Sequence, residues 1–418
     1  MTTVLLLSGS SQGDALGGIA RSFKILFNAA GYEFTEIHFG RSSNPVAELN
    51  AAIQGGDTAF AFSFMSMGSD LTFKDNNGNA ANLWERLRIP FISIYGDSPA
   101  YYFDRHVVPG PNFAGVYGFP EHTVLRHRLP KINGPITGAA PILLDMINRD
   151  ALDFTRKSAG KLLFLKNGND PEALLQVWRE RLQAGPLNAL QEMAAMLAAD
   201  LASPRLNQID DIVLEYCAAH DIDIQRQVKL RLFFIAQLDD YTRRLKSTLV
   251  AQSLLDLPIE VRGTGWGHVD FTGRRATLVE SCDYAESRQL IREALGVLDM
   301  SPNTSGGPHD RVSRAFGSYT LCVTNQQDFL ARDVPAQNAV SFKFQAESIQ
   351  SVVSAALAHP ARHVELGAEI AATYRDKNPP EAGIADLIRI AELVRLNQAP
   401  GRPEGMPPYF VWPPKNLS

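Results

Sequence analysis

The sequence predicts an α/β protein of two doubly wound, Rossmann-like domains, the second carrying a helical insertion. Three observations predict it. Short apolar runs that end on Gly/Ser turns alternate with segments of helical period through residues 1–155. The same alternation restarts at "KLLFLKNGND" and resumes with "IEVRGTGW". Between these, residues 171–254 show only the 3.6-residue spacing of amphipathic helices.

The elements follow in order. "TVLLLS" is a buried first strand; its apolar run is too short for a secretory leader and no basic residues precede it. "LGGIARSFKILFNAAG" has helical spacing, with Gly31 placed to end the helix. "EFTEIHFG", "TAFAFSF" and "FISIYG" are further strands, and "PVAELNAAIQ" and "NAANLWERLR" are the helices between them. Such alternation gives a parallel sheet covered on both faces. The second domain, residues 156–380, opens with "KLLFLKNGND". Its insertion reads as helices at "EALLQVWRERLQAG", "LNALQEMAAMLAADL", "QIDDIVLEYCAAH" and "VKLRLFFIAQLDDYTRRLKSTLVAQSLL". "GVLDMS", "TLCVTN" and "NAVSFKF" then supply strands. Residues 381–418 hold a helix around "AGIADLIRIAELVRLN" and a Pro- and aromatic-rich tail, whose Tyr409, Phe410 and Trp412 are expected to pack back on the protein. The apolar helix faces of the insertion need cover, from the same chain or, as a candidate surface, from a second copy in a homodimer.

Composition narrows the function classes. The chain has 418 residues, 45% of them hydrophobic, enough for two domains with real cores. A net charge of −5 gives no general reason to expect nucleic acid or an anionic membrane as partner. No run approaches the ~18 apolar residues of a membrane span, so a soluble cytoplasmic protein is expected. Cys217, Cys282 and Cys322 lie far apart in apolar contexts and read as buried reduced thiols, without a disulfide or metal site. H-E-x-x-H, C-x-x-C, G-x-S-x-G and P-loop patterns are absent.

Three loops carry the candidate chemistry. In "SPNTSGGPHDRVSRAF" a strand ends and a helix begins, so free N–H groups and the helix dipole favour a phosphate. Gly306 and Gly307 allow close backbone approach, Thr304 and Ser305 offer hydroxyls, and His309 and Arg311 offer donors or charge, with Asp310 as N-cap. An ordinary capped helix after a Gly-Pro turn is the competing reading. In "VRGTGWG", Gly263 and Gly265 either make room for a base or sugar or simply turn the chain. In "IPFISIYGDSPAYYFDRH", Asp97 at a strand end is a general base or a turn residue, and Tyr101 and Tyr102 offer rings for a sugar. Gly13, in the turn after the first strand, is a further acceptor-side candidate. "HDID" at residues 220–223 reads as a solvated link between helices.

Taken together, these segments resemble the bacterial glycosyltransferases of the CgeB-like, or spore-maturation-protein-like, group, which have the GT-B fold. The resemblance rests on "LWERLRIPFISIYGDSP", "KLLFLKNGNDPEALLQVWRERL", "LDDYTRRLKSTLVAQSLLDLPIEVRGTGW", "LGVLDMSPNTSGGPHDRVSRAFGSYTLCVTNQQDFL" and "ALAHPARHVELGAEI", in that order. It implies two domains facing a cleft. A sugar passes from a nucleotide-sugar donor (UDP-, GDP- or similar) to a protein or glycan acceptor, with no metal or other bound cofactor. Carried over by position, residues 305–311 hold the donor diphosphate, and Gly263, Gly265 and Trp266 line the nucleotide pocket. Lys166, Asn167 and Asn303 are further donor-side positions. In an inverting mechanism Asp97 takes the acceptor proton while Arg311 and the backbone of Ser305–Gly307 stabilise the leaving group, with His309 a further catalytic candidate; a retaining enzyme needs no such base.

The pattern departs from the family at two places. Arg314 stands where relatives carry a glutamate expected to hold the donor ribose, and Tyr319 stands where a glycine is usual. Three readings follow: an unusual donor, Asp310 serving instead, or an inactive nucleotide- or glycan-binding descendant. A sugar-nucleotide epimerase of similar fold is a further alternative.

Overall fold

The computed structural model describes residues 2–11, 14–74, 78, 80–107, 110–130, 134–301 and 303–397. Gly13 and the tail residues Tyr409, Phe410 and Trp412 lie outside them. The chain forms two compact units, one of Met1–Ile142 with the chain from Asn378 onward, the other of Leu143–Lys377.

The first unit is built on β1 (Thr3–Ser8), β2 (Glu33–His38), β3 (Thr58–Phe64), the short strands β4 (Thr72–Lys74) and β5 (Ala80–Asn82), then β6 (Phe91–Tyr95), β7 (Phe113–Tyr117) and β8 (Ile136–Gly138). Six of these form one parallel sheet in the order β2-β1-β3-β6-β7-β8, while β4 and β5 pair separately and antiparallel. Every residue of β1 is buried, which is why it reads as an unbroken apolar run. Phe23, Phe27, Phe60 and Phe62 pack one face of the sheet against helix Ala15–Ala29. The helix Pro380–Asn397 covers the same face through Ile384, Leu387, Ile390 and Val394. Gly31 takes φ +85° just beyond the first helix, the left-handed geometry that ends it there.

The second unit contains β9 (Leu162–Leu165), β10 (Ile259–Arg262), β11 (Thr277–Val279), β12 (Gly296–Leu298), β13 (Leu321–Asn325) and β14 (Ser341–Phe342). They form a parallel sheet in the order β11-β10-β9-β12-β13-β14. Numbered within the unit this is 3-2-1-4-5-6, the doubly wound order whose direction reverses between its first and fourth strands, here β9 and β12. Ligands of such sheets bind at the C-terminal ends of those two strands, where the outgoing loops diverge. The two parallel six-stranded sheets agree with the alternation in the sequence.

The predicted insertion is the crossover between β9 and β10: helices Pro171–Arg181, Ala184–Ala199, Ile209–Ala219 and Val228–Ser253. Asp170 starts the first, its carboxylate accepting from Glu172 N, with Pro171 at the first helical position. A buried two-pronged ion pair, Arg231 Nε and Nη2 each 2.7 Å from Asp210, ties the last helix to the third. Trp178 Nε1 donates to Gln237 Oε1 at 2.6 Å and ties it to the first. These bonds give the last helix a fixed face toward the sheet, which matters for the site. No described helix is long and apolar enough to cross a membrane. Cys217 and Cys322 are buried free thiols, as expected; Cys282 is only partly buried.

Candidate functional site

Lys166 and Asp299 are the first residues beyond β9 and β12, so the sheet topology alone places them at the point of reversal. The loop holding Lys166 is clasped to the loop after β10. Lys166 N donates to Arg262 O at 2.9 Å and Gly168 N to Thr264 O at 2.8 Å. Asn167 Oδ1 accepts from Thr264 N at 3.0 Å, and Trp266 Nε1 donates to Lys166 O at 2.8 Å. Gly263 is needed because a Cβ there would overlap the Lys166 carbonyl; Gly265 has φ +77° and a Cβ there would meet the Gly168 carbonyl. Trp266 is 2% exposed, packed near Phe164 and His268. The glycines, Asn167 and the tryptophan therefore hold the two loops together, and Trp266 offers no open ring face. Gly265→Ala is expected to cost about 1–3 kcal/mol of stability from the left-handed backbone and the overlap, measurable by urea denaturation.

The clasp leaves the Lys166 side chain half-buried. Its ammonium has no hydrogen-bond partner among the described residues. Burial lowers its pKa from the usual lysine value to about 8, and the guanidiniums of Arg311 and Arg243 push the same way against Asp299 and Asp310. A cation crowded by two other cations costs less when an anion joins them.

Asp299, a site residue the sequence reading missed, is fully buried. Its Oδ1 accepts from Arg311 Nε at 2.7 Å and lies 3.2 Å from His309 Nδ1, while its Oδ2 has no hydrogen-bond partner among the described residues. Burial pushes this carboxyl up, but Arg311 and His309 outweigh it and hold it below the usual carboxylate range. The signal was present: a lone Asp inside the apolar run "GVLDM". His309 Nδ1 is also 2.8 Å from Asp310 Oδ1. Burial lowers the imidazole pKa, yet Asp310 and Asp299 together raise it, favouring the imidazolium. Asp310 is not the N-cap that the sequence predicts. The cap position falls to His309, and Asp310 is the first residue of helix Asp310–Gly317. Its carboxylate turns to His309 instead of capping, although it still sits favourably at the positive end of the helix.

The rest of the loop is anchored from two sides. Asn303, at φ +50°, spends its amide on the insertion helix: Nδ2 reaches Asp239 Oδ1 at 2.9 Å and Thr242 Oγ1 at 2.6 Å, and Oδ1 accepts from Lys246 Nζ at 2.7 Å. Ser305 Oγ accepts from Asp328 N at 2.7 Å, joining the loop to the chain after β13. Gly306 is half-buried and Gly307 buried. Arg243, which bears on Lys166, lies 3.6 Å from Asp239 on the same helix that holds Asn303.

Arg314 turns away from this loop. It is 4% exposed, with Nε 2.9 Å from Asp145 Oδ2, Nη2 2.8 Å from Ser287 Oγ, and the guanidinium 4.1 Å from the centre of the Tyr284 ring. The same helix receives residues 144–147: Ile147 N donates to Gly317 O at 3.1 Å, and a Cβ on Gly317 would overlap the Leu144 carbonyl. Arg314 thus pins the entry segment of the second unit. Tyr319 has φ +48°, the left-handed region that glycine enters at no steric cost. Its ring is covered by Arg375 at 4.4 Å.

In the first unit Asp97 is exposed, two residues past β6. Tyr102, 71% exposed at φ +54°, lies under Arg105 at 5.6 Å, and Tyr101 is half-buried. Beneath this loop Tyr95, His106 and Tyr117 stack, with His106 Nδ1 2.9 Å from Tyr117 Oη. Burial, then the neighbouring Arg126, lowers the His106 pKa to about 3, so this group is a neutral brace under the Asp97 loop.

No protein-family model matches the chain, and no curated protein matches it. Among solved structures it is similar to the sucrose-phosphate synthase from Thermosynechococcus elongatus, at 11% identity over 94% of this chain and 98% of that one, TM-score 0.48. It is also similar to a DNA-modifying beta-glucosyltransferase, at 10% identity over 94% and 100%, TM-score 0.42. A third is the spinosyn rhamnosyltransferase SpnG, at 9% identity over 93% and 100%, TM-score 0.37.

Proposed function

We propose that the protein is a glycosyltransferase, related to the CgeB-like group, that moves a sugar from a nucleotide-sugar donor to a protein or glycan acceptor. The observation that carries the reading is the half-buried Lys166 ammonium at the reversal point of the second sheet, without a hydrogen-bond partner among the described residues, while Arg311 and Arg243, which act on it, are paired with Asp299 and Asp239. Those three cations, with the N-terminus of helix Asp310–Gly317, make a seat for a diphosphate. In this reading the acceptor oxygen attacks the anomeric carbon as the bond to the β-phosphate oxygen breaks. The electron pair leaves with the nucleoside diphosphate, whose charge Arg311 and Lys166 meet. Asp97 takes the acceptor proton along the inverting route. Arg314, locked to Asp145, is removed from the donor, and Asp310 is the carboxylate left on that helix for a ribose hydroxyl.

Incubating the protein with nucleotide-sugars and acceptors and analysing the products tests this. Transfer supports it; an unchanged donor points to a silent nucleotide-binding protein, and an altered free sugar-nucleotide to an epimerase. The Lys166 pKa adds a pH signature. Below about 8 the ammonium is charged in the free protein, and a bound diphosphate raises its pKa back toward the ordinary lysine value. Nucleoside diphosphate affinity is therefore expected to be full below that pH and to fall as pH rises past it, with proton uptake on binding. Calorimetry in buffers of different ionisation enthalpy reads the uptake, and Lys166→Met should abolish it.

A further inference from the structure

A cavity of about 500 Å³ opens in the second unit beside this loop, within the ~300–1,000 Å³ range of small-molecule sites. Ser305 forms part of its wall, so it begins on the segment that leads to His309 and Arg311. Gln327 and Phe344 line it from beyond β13 and β14, and Lys246 lines it from the insertion helix.

Two wall groups are incomplete. Gln327 is 4% exposed; its Nε2 donates to Thr324 Oγ1 at 3.0 Å, but its Oε1 has no partner among the described residues and is an acceptor open to an N–H or O–H. Lys246 is 2% exposed, and among the described residues its one hydrogen bond goes to the neutral Asn303 Oδ1, with the Phe344 ring centre 4.6 Å away. The carboxylate nearest in effect, Asp239, is taken up by Asn303 and Arg243. At the rim the exposed Lys343 and Asp328 offset each other. The buried charge of this cavity is therefore a cation, and an anionic group entering it meets an ammonium already stripped of water.

We propose that this cavity seats the glycosyl unit of the donor and that Lys246 selects a sugar bearing a carboxylate, with Gln327 accepting from a sugar hydroxyl. The inference rests on the glycosyltransferase reading and deepens it: the helical insertion is then part of the specificity apparatus, because Lys246 belongs to it. Asn303 couples the two sites, since its amide joins Lys246 to the loop that carries the diphosphate seat.

The test is calorimetric titration with matched pairs, UDP-glucuronic acid against UDP-glucose and GDP-mannuronic acid against GDP-mannose, beside UDP and GDP alone. The acidic sugar should bind about 10-fold tighter or more than its neutral counterpart, the size of a charge-assisted hydrogen bond. Lys246→Gln keeps a donor for Asn303 and should bring the ratio to about one, while Lys246→Arg should retain the preference. Gln327→Leu should weaken acidic and neutral donors alike. Binding of UDP or GDP without any gain from the carboxylate, or a gain that survives Lys246→Gln, overturns this inference alone. Binding of no nucleotide by the folded protein overturns the glycosyltransferase reading and this inference with it.

Discussion

Replacing Arg311 by alanine is expected to remove nucleoside diphosphate binding and to lower any transfer rate by about 100-fold or more, the typical loss of a group that stabilises developing charge. It should also cost about 3–5 kcal/mol of stability, because a fully buried Asp299 is left with His309 as its one ion-pair partner among the described residues. The two effects separate by design. Asp299→Asn combined with Arg311→Ala removes the stranded charge, so it should recover much of the stability and none of the binding. pH gives a second check. In the native protein Asp299 is held below its unfolded value, so its contribution is present above ordinary carboxylate pH and lost as pH falls through the folded pKa. In Arg311→Ala the buried carboxyl rises above that value instead. The variant's deficit should therefore shrink between pH 7 and 4, a trend visible in denaturation midpoints.

Arg314→Glu, which installs the residue usual in the resembling family, is expected to be among the most damaging substitutions in the chain. It sets a carboxylate against Asp145 in a site where Arg314 is 4% exposed, and it abandons Ser287 and the Tyr284 ring. A loss of about 3–5 kcal/mol follows from stranding buried charge. Arg314→Lys keeps the charge without the fork and should lie between the two. Urea denaturation measures both. Wild-type stability for Arg314→Glu, together with tighter nucleotide binding, would place Arg314 in the donor site and contradict the structural role argued here.

Much of this fold was legible because its strands are buried on both faces. β1 and β3 read as continuous apolar runs, and the insertion's helices kept their period over several turns. β8 and β11 were less legible; at three residues each they are too short to show any period. β7, "FAGVY", is broken by a glycine and bounded by turn residues. Within the candidate site, the loop of residues 301–311 stood out by composition, and Arg311 meets the fully buried Asp299 there. Composition could not tell an internal bond from a ligand contact. Asn303, Gly263, Gly265 and Trp266 look like ligand groups in one dimension, yet their partners are the insertion helix and neighbouring loops of the same unit. Lys246 and Arg243 were hidden for the opposite reason: on an amphipathic helix a basic residue reads as solvated until tertiary packing buries it.

The most direct test of the central claim is calorimetric titration of the full chain with UDP, GDP, ADP, CMP and dTDP, repeated with Lys166→Met. Lys166 makes no hydrogen bond to a buried partner among the described residues, so this substitution probes the anion seat without stranding a charge. Selective binding of one nucleotide, weakened about 10-fold or more in Lys166→Met, is the result expected of a diphosphate seat at the end of β9. No binding by any of the five, or binding indifferent to Lys166, would contradict it.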